Sequence, residues 1–195
     1  MEYQETDERL LQNAASGETA AFQVLYERYR DPIFRFAYRM LGSAEAAEDV
    51  THDCFLSLIK EPGRFVPDKA SLRTYLFAAA RNQAARRYQN FNRESAIDEF
   101  SDDLRAPEIN EPSRRVLDAE LAVEVRRAIA SLPPLQREAL VLFEYEDLSL
   151  AEIGAIVGAD SNAVKARLFR ARDKLRASLS RYFRIGRETA TVRRA

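Results

Sequence analysis

Asn162, Lys165, Ala166, Phe169 and Arg170 recur at i, i+3, i+4, i+7 and i+8, which places them on one face of a helix. Val164, Leu168, Ala171, Leu175 and Leu179 form the inward stripe of the same helix, so the first set points outward. A DNA major groove admits one helix, and its base edges are read by Lys or Arg donors to guanine and by apolar groups to thymine methyl. Lys165, Arg170 and Phe169 supply those groups. The competing reading is an ordinary helical hairpin with a solvated basic face. An aromatic ring in the middle of such a face is hard to explain as solvation, although surface aromatics do occur singly.

The elements that must position this face are legible just upstream. Ser149 followed by Glu152 is a capping box, so a helix opens there and buries Ile153, Ile156 and Val157 before stopping at Gly158. Gly154 is a small residue that lets the next helix cross closely, Gly158-Ala159-Asp160 has the length of a helix-turn-helix connection, and Ser161 can cap the second helix. From Lys165 to Arg184 eight bases stand against Asp173 alone, a balance suited to phosphate.

The chain of 195 residues is 46% hydrophobic and 31% charged, enough apolar material for a core and too much for a disordered chain. Its runs are dense in Ala, Leu, Arg and Glu with no alternating β-branched segments, which predicts an all-α fold. Phe22, Leu25, Tyr26 and Tyr29 form a stripe that stops at Asp31-Pro32; Ile33, Phe34, Ala37, Met40 and Leu41 form a second, ending at Gly42. Ser43 is placed to cap a helix running to about Lys60, and Ser71 to cap another from Leu72 to about Asn90, with Leu72, Leu76, Ala79 and Ala80 inward. These helices make one bundle, residues 1–92. Residues 93–116 read as a flexible linker: Pro107 and Pro112 appear, and from Glu94 to Pro112 seven acids face Arg105 alone. A second small helical domain, residues 117–183, follows. Its stripe of Leu117, Leu121, Val125, Ala128, Ile129 and Leu132 ends at Pro133-Pro134, and Leu135, Ala139, Leu142 and Phe143 line the next helix. Residues 184–195 are a tail without a stripe.

Lone Cys54 and single His52 allow neither an internal disulfide nor a Cys/His zinc site, so no metal or cofactor is expected. At i, i+2 these two do not share a helix face, which argues against an enzyme. The acidic, polar start of the chain and the lack of any window of about 20 apolar residues predict a cytoplasmic protein without membrane insertion.

Three stretches carry a family resemblance. Residues 132–139, Leu-Pro-Pro-Leu-Gln-Arg-Glu-Ala, with Leu150 to Gly158 and Ala163 to Arg172, resemble domain four of the extracytoplasmic-function (ECF) sigma factors of the sigma-70 family. Residues 45–56, Glu-Ala-Ala-Glu-Asp-Val-Thr-His-Asp-Cys-Phe-Leu, resemble the polymerase-binding helix of their domain two, and residues 72–82 the promoter-melting segment that follows. The resemblance implies an alternative sigma factor that binds core RNA polymerase, through clamp helices and flap, and directs initiation from promoter DNA. Polymerase contact would fall to Glu48, Asp49, His52, Asp53, Phe55 and Leu56. Minus-ten recognition would use Asp68, Lys69, Ser71, Arg73, Tyr75, Asn82 and Arg86, in a loop and helix able to stack and neutralise single-stranded DNA. Phe77, Tyr88, Arg81 and Arg87 lie nearby, with Phe77 at core spacing. The minus-thirty-five element would be read by Asn162, Lys165, Ala166, Arg167, Phe169 and Arg170. An anti-sigma factor is a further implied partner. The family usually has Gln where His52 stands and Trp where Ile59 and Tyr75 stand. The rival reading is a helix-turn-helix regulator acting on duplex operators without polymerase, which leaves the first domain unexplained.

Overall fold

A computed structural model describes residues 5–94 and 115–180, with side chains followed through Tyr88 and again from Leu121. Its regular elements are helical: α1 (Asp7–Ala15), α2 (Thr19–Leu41), α3 (Ala44–Lys60), a 3-10 turn (Pro62–Arg64), α4 (Leu72–Glu94), α5 (Arg115–Ala130), α6 (Pro134–Glu144), α7 (Leu150–Val157) and α8 (Ser161–Ser178). The expected all-α class is observed. The acidic stretch, but for its ends, and the tail after Arg184 lie outside the described residues, as does the side chain of Leu117.

Local signals act where they were expected. Gly42, at φ 74°, ends α2, and the Ser43 hydroxyl accepts from the Ala46 amide at 3.2 Å to start α3. The Ser71 hydroxyl likewise accepts from the Thr74 amide at 3.2 Å. One expectation is corrected. Asp31-Pro32 does not divide two helices: α2 runs unbroken through Pro32. Leu25, Tyr29, Ile33, Phe36 and Ala37 are buried along one continuous stripe, and this burial before and after Pro32 outweighs a proline cost of about 3 kcal/mol. The acidic N-terminal stretch also holds a helix. In α1, Thr6 accepts from the Arg9 amide, Leu10 and Leu11 are buried, and Asp7 takes hydrogen bonds from Arg28 and Tyr29 of α2.

The first-half core is built from Val50 and Leu58 of α3, Leu72, Leu76 and Phe77 of α4, and Phe36 of α2. Each side chain of this size contributes about 1.5 to 3 kcal/mol by burial. Phe77 meets Phe36 edge-on at 5.6 Å, so its ring belongs to the core.

In the second half Ala139, Leu140, Val141 and Leu142 of α6 are all buried, because α6 is packed by α8 and α7 and also by α2. Leu135 and Leu121, expected inward, are exposed. Leu135 occupies the first turn of α6, short of the shared core, and a single stripe misses a helix enclosed from several sides. The halves touch directly: α7 lies against α4, and α5 and α6 against α2.

Candidate nucleic-acid interface

Helices α7 and α8 form the expected helix-turn-helix. At its start the Ser149 hydroxyl accepts from the Glu152 amide at 3.3 Å, while the Glu152 carboxylate accepts from the Ser149 amide at 2.9 Å and its hydroxyl at 2.6 Å. These bonds, side chain first, hold the Glu152 carboxyl below its ordinary range. Gly158 closes α7 in the left-handed region at φ 67°. The cap of α8 is one residue earlier than expected: Asp160, not Ser161, accepts from the Ala163 amide, at 2.8 Å, and Ser161 is the first helical residue. Asp160 suits the site because a carboxylate complements the positive end of the helix.

Val164, Leu168 and Ala171 anchor α8 inward. Asn162, Lys165, Phe169 and Arg170 are exposed and Ala166 is half-buried between them. Phe169 is 71% exposed, a large apolar ring held in solvent amid cations. Arg167 departs from the expected face: it turns inward and pairs with Glu138 of α6 at 3.3 Å. Its place in the helix, one position before Leu168, puts it on the flank of the buried stripe.

In the first half, Asp68, Lys69 and Ser71 are exposed in the loop before α4, and Asn82 and Arg86 are exposed along α4 itself. Tyr75, also on α4, is half-buried and meets Phe65 edge-on at 5.7 Å. Arg73 does not stand free. It donates to the backbone carbonyl of Glu146 and lies 5.8 Å from the Phe77 ring.

The acidic face of α3 presents Glu48, Asp49 and His52 to solvent, with Asp53 and Leu56 half-buried. Arg87 of α4 bridges Asp49 at 3.0 Å and Asp53 at 2.9 Å. Phe55 is corrected: it is 3% exposed and packs against Tyr26 at 4.9 Å and Phe22 at 6.2 Å, as part of the core. Its spacing from Thr51 and Leu58, both buried, was the available signal.

The sequence reading missed a cluster where the halves meet. Glu138 of α6 pairs with Arg81 of α4 at 3.0 Å as well as with Arg167. Glu146, in the connection between α6 and α7, is 3% exposed, with Arg39 of α2 at 3.7 Å. Burial pushes the Glu146 carboxyl up and the Arg39 guanidinium down, the mutual attraction offsetting part of each shift. Arg39 also lies 4.0 Å over the Tyr145 ring, and Arg137 of α6 donates to the Met40 carbonyl at 2.8 Å. No local pattern announces these pairs.

Comparison with known proteins bears on both halves. Residues 25–94 match the Sigma-70 region 2 family and residues 122–175 the family described as Sigma-70, region 4. The chain is 32% identical over 176 residues to the ECF RNA polymerase sigma factor SigE of Mycolicibacterium smegmatis, covering 86% of this chain and 66% of that protein, just under two thirds of its length. It is 30% identical over 183 residues to the ECF RNA polymerase sigma-E factor of Escherichia coli, covering 90% and 95%. Among solved structures, CnrH in complex with the cytosolic domain of CnrY aligns with a TM-score of 0.68 at 27% identity, over 90% of this chain and 98% of that one. The sigma factor RpoE in complex with the anti-sigma factor NepR from Bartonella quintana shares the fold, with a TM-score of 0.69 at 22% identity over 82% and 96%. With region 2 matched in the first half and region 4 in the second, and with relatives of this kind matched across most of their length, the chain belongs to the extracytoplasmic-function sigma factors of the sigma-70 family.

Proposed function

We propose that this alternative sigma factor binds core RNA polymerase in the cytoplasm and directs initiation by engaging two promoter elements. The acidic face of α3, with Glu48, Asp49, His52, Asp53 and Leu56, docks on the clamp helices, while Phe55 supports that face from beneath. The loop before α4 and the helix itself, through Asp68, Lys69, Ser71, Arg73, Tyr75, Asn82 and Arg86, receive the unpaired minus-ten strand: cations neutralise phosphate and the Tyr75 ring offers a stacking face. Helix α8 reads the minus-thirty-five duplex through Asn162, Lys165, Ala166, Phe169 and Arg170, and region 4 also meets the flap. Residues 1–92 and 117–183 act as the two working units, with the acidic stretch between them as tether.

The observation that carries this reading is Phe169, exposed between Lys165 and Arg170 on a helix whose opposite side is anchored in a capped helix-turn-helix. A regulator acting on duplex alone would have no use for the first half, where the region 2 match lies. CnrH is found in complex with the cytosolic domain of CnrY, and a protein partner, of the anti-sigma kind, is proposed for this chain. The test is transcription from a genomic template library with purified core polymerase and the full chain. Promoter-specific transcripts dependent on the chain are expected, and their absence on every template would refute the proposal.

A further inference from the structure

Arg87 of α4 divides its guanidinium between two carboxylates that stand one turn apart on α3. Its Nη1 donates to Asp49 Oδ2 at 3.0 Å and its Nη2 to Asp53 Oδ2 at 2.9 Å. Like charges at i, i+4 on a helix repel, so these two carboxylates left alone would turn away from each other. The planar fork holds both toward one cation. It uses one oxygen of each carboxylate, and a carboxylate has two that accept. Folding stability gives little reason for the arrangement: the side chains of Arg87, Asp49 and Asp53 are 35%, 57% and 40% exposed, and ion pairs so open to water contribute little.

We infer that Arg87 is a positioning residue for polymerase docking: it orders the Asp49 and Asp53 carboxylates in advance, so that cations of core polymerase meet two aligned acceptors. This rests on the assignment of the α3 face to polymerase. It also takes Arg87 away from the minus-ten strand, to which its place on α4 beside Arg86 would otherwise give it. Two effects of Arg87 oppose each other. The guanidinium cancels one negative charge of the face, which by attraction alone weakens docking on a cationic partner. Against that, docking must immobilise both carboxylates, and Arg87 has done so beforehand. Ordering wins at physiological salt, where exposed charges are screened within about 8 Å while the cost of fixing a side chain is unchanged. Loss of the fork is expected to weaken binding about fivefold, roughly 1 kcal/mol.

The sign of the change separates the two effects. Affinity of the full chain for immobilised core polymerase is measured by interferometry for wild type, Arg87→Gln and Arg87→Lys, each also in a background carrying Asp49→Asn and Asp53→Asn. Arg87→Gln is expected to bind about fivefold more weakly. Arg87→Lys keeps the charge but is a point cation that cannot fork across both carboxylates, so it should recover little of the loss. Neither change should weaken binding further in the Asn background, as a double-mutant cycle requires of groups acting through one another. Thermal midpoints within about 3 °C of wild type are expected, since the residues are exposed, and they separate positioning from a fold defect. Affinity of Arg87→Gln equal to or above wild type, full recovery by Arg87→Lys, or a loss that persists in the Asn background overturns the role of Arg87 while leaving the docking face in place. Wild-type affinity of the Asp49→Asn, Asp53→Asn chain refutes the docking face itself, and the proposal with it.

Discussion

A Cβ placed on Gly154 would lie 2.6 Å from the carbonyl oxygen of Ala159. The close approach is therefore made by the turn backbone, not by the following helix as the small residue first suggested. That backbone is held from the same residue, since the Ala159 amide donates to the Gly154 carbonyl at 3.0 Å. Gly154→Ala must push the turn aside at about 1 to 3 kcal/mol, against a gain of about 1 kcal/mol in helix propensity. A net loss of stability is expected in thermal unfolding. Gly63→Ala, where an added Cβ meets nothing within 4 Å, is the matched control and should leave the midpoint unchanged or slightly raised. Equal midpoints for the two variants would contradict the contact.

The reading face of α8 predicts a separation of binding from stability. Phe169, Lys165 and Arg170 are exposed, so each can be changed to Ala without opening a cavity. Midpoints within about 0.5 kcal/mol of wild type are expected. Discrimination between the preferred minus-thirty-five sequence and a scrambled duplex should fall by about 1 to 3 kcal/mol for Lys165→Ala and Arg170→Ala. Competition binding with polymerase holoenzyme measures it. Unchanged preference in both variants would remove these residues from base reading.

The parts of the fold that were readable before the structure are those set by neighbours in sequence. Ser43, Ser71, Ser149 with Glu152, and Gly158 act through bonds reaching one turn or less, so residue type and spacing announce them. Pro32 was misread because its local rule is strong, yet the burial that overrides it comes from α1, α3 and α4. Phe55 was placed on the polymerase face because a mixed acidic and apolar helix does not say which apolar residues are spare. Phe22 and Tyr26, which cover it, lie on another helix.

The site divided in the same way. The exposed half of the α8 face followed from periodicity, whereas Arg167 and Arg73 were expected to be available and instead meet Glu138 and Glu146. Arg81 and Glu138 are 57 residues apart and Arg73 and Glu146 are 73 apart. Nothing in either local sequence marks them as partners. A charged residue read alone looks solvated; the packing of α8 on α6 and of α7 on α4 decides which are spoken for.

The capping box gives a pH dependence of known sign. The folded carboxyl of Glu152 lies below its unfolded value of 4.5. Its contribution is therefore fully present above that value and is lost as pH falls through the lower folded value. The stability difference between wild type and Glu152→Gln should be constant from neutral pH down to about 5 and shrink toward zero below it. Ser149→Ala, which removes the cap itself, should cost about 1 kcal/mol at neutral pH. Denaturant titrations at several pH values measure both. A difference that grows on acidification would show that the carboxylate is not held by these bonds.

Cys54 supplies a test of the first-half core. Its side chain is buried in α3, and burial pushes the thiol up to about 12. Since only the thiolate attacks, and the sulfur is out of reach, burial suppresses reaction at neutral pH in two ways. Labelling by a disulfide reagent should be slow in the native chain and fast in denaturant, with a native rate set by opening of the core. A substitution that weakens packing over α3, such as Phe36→Ala, creates a cavity at about 3 to 5 kcal/mol and should speed native labelling. Phe169→Ala, in the other half and exposed, should not. Rapid stoichiometric labelling of the wild-type chain without denaturant would show that α3 does not stay packed against α2 and α4 in solution.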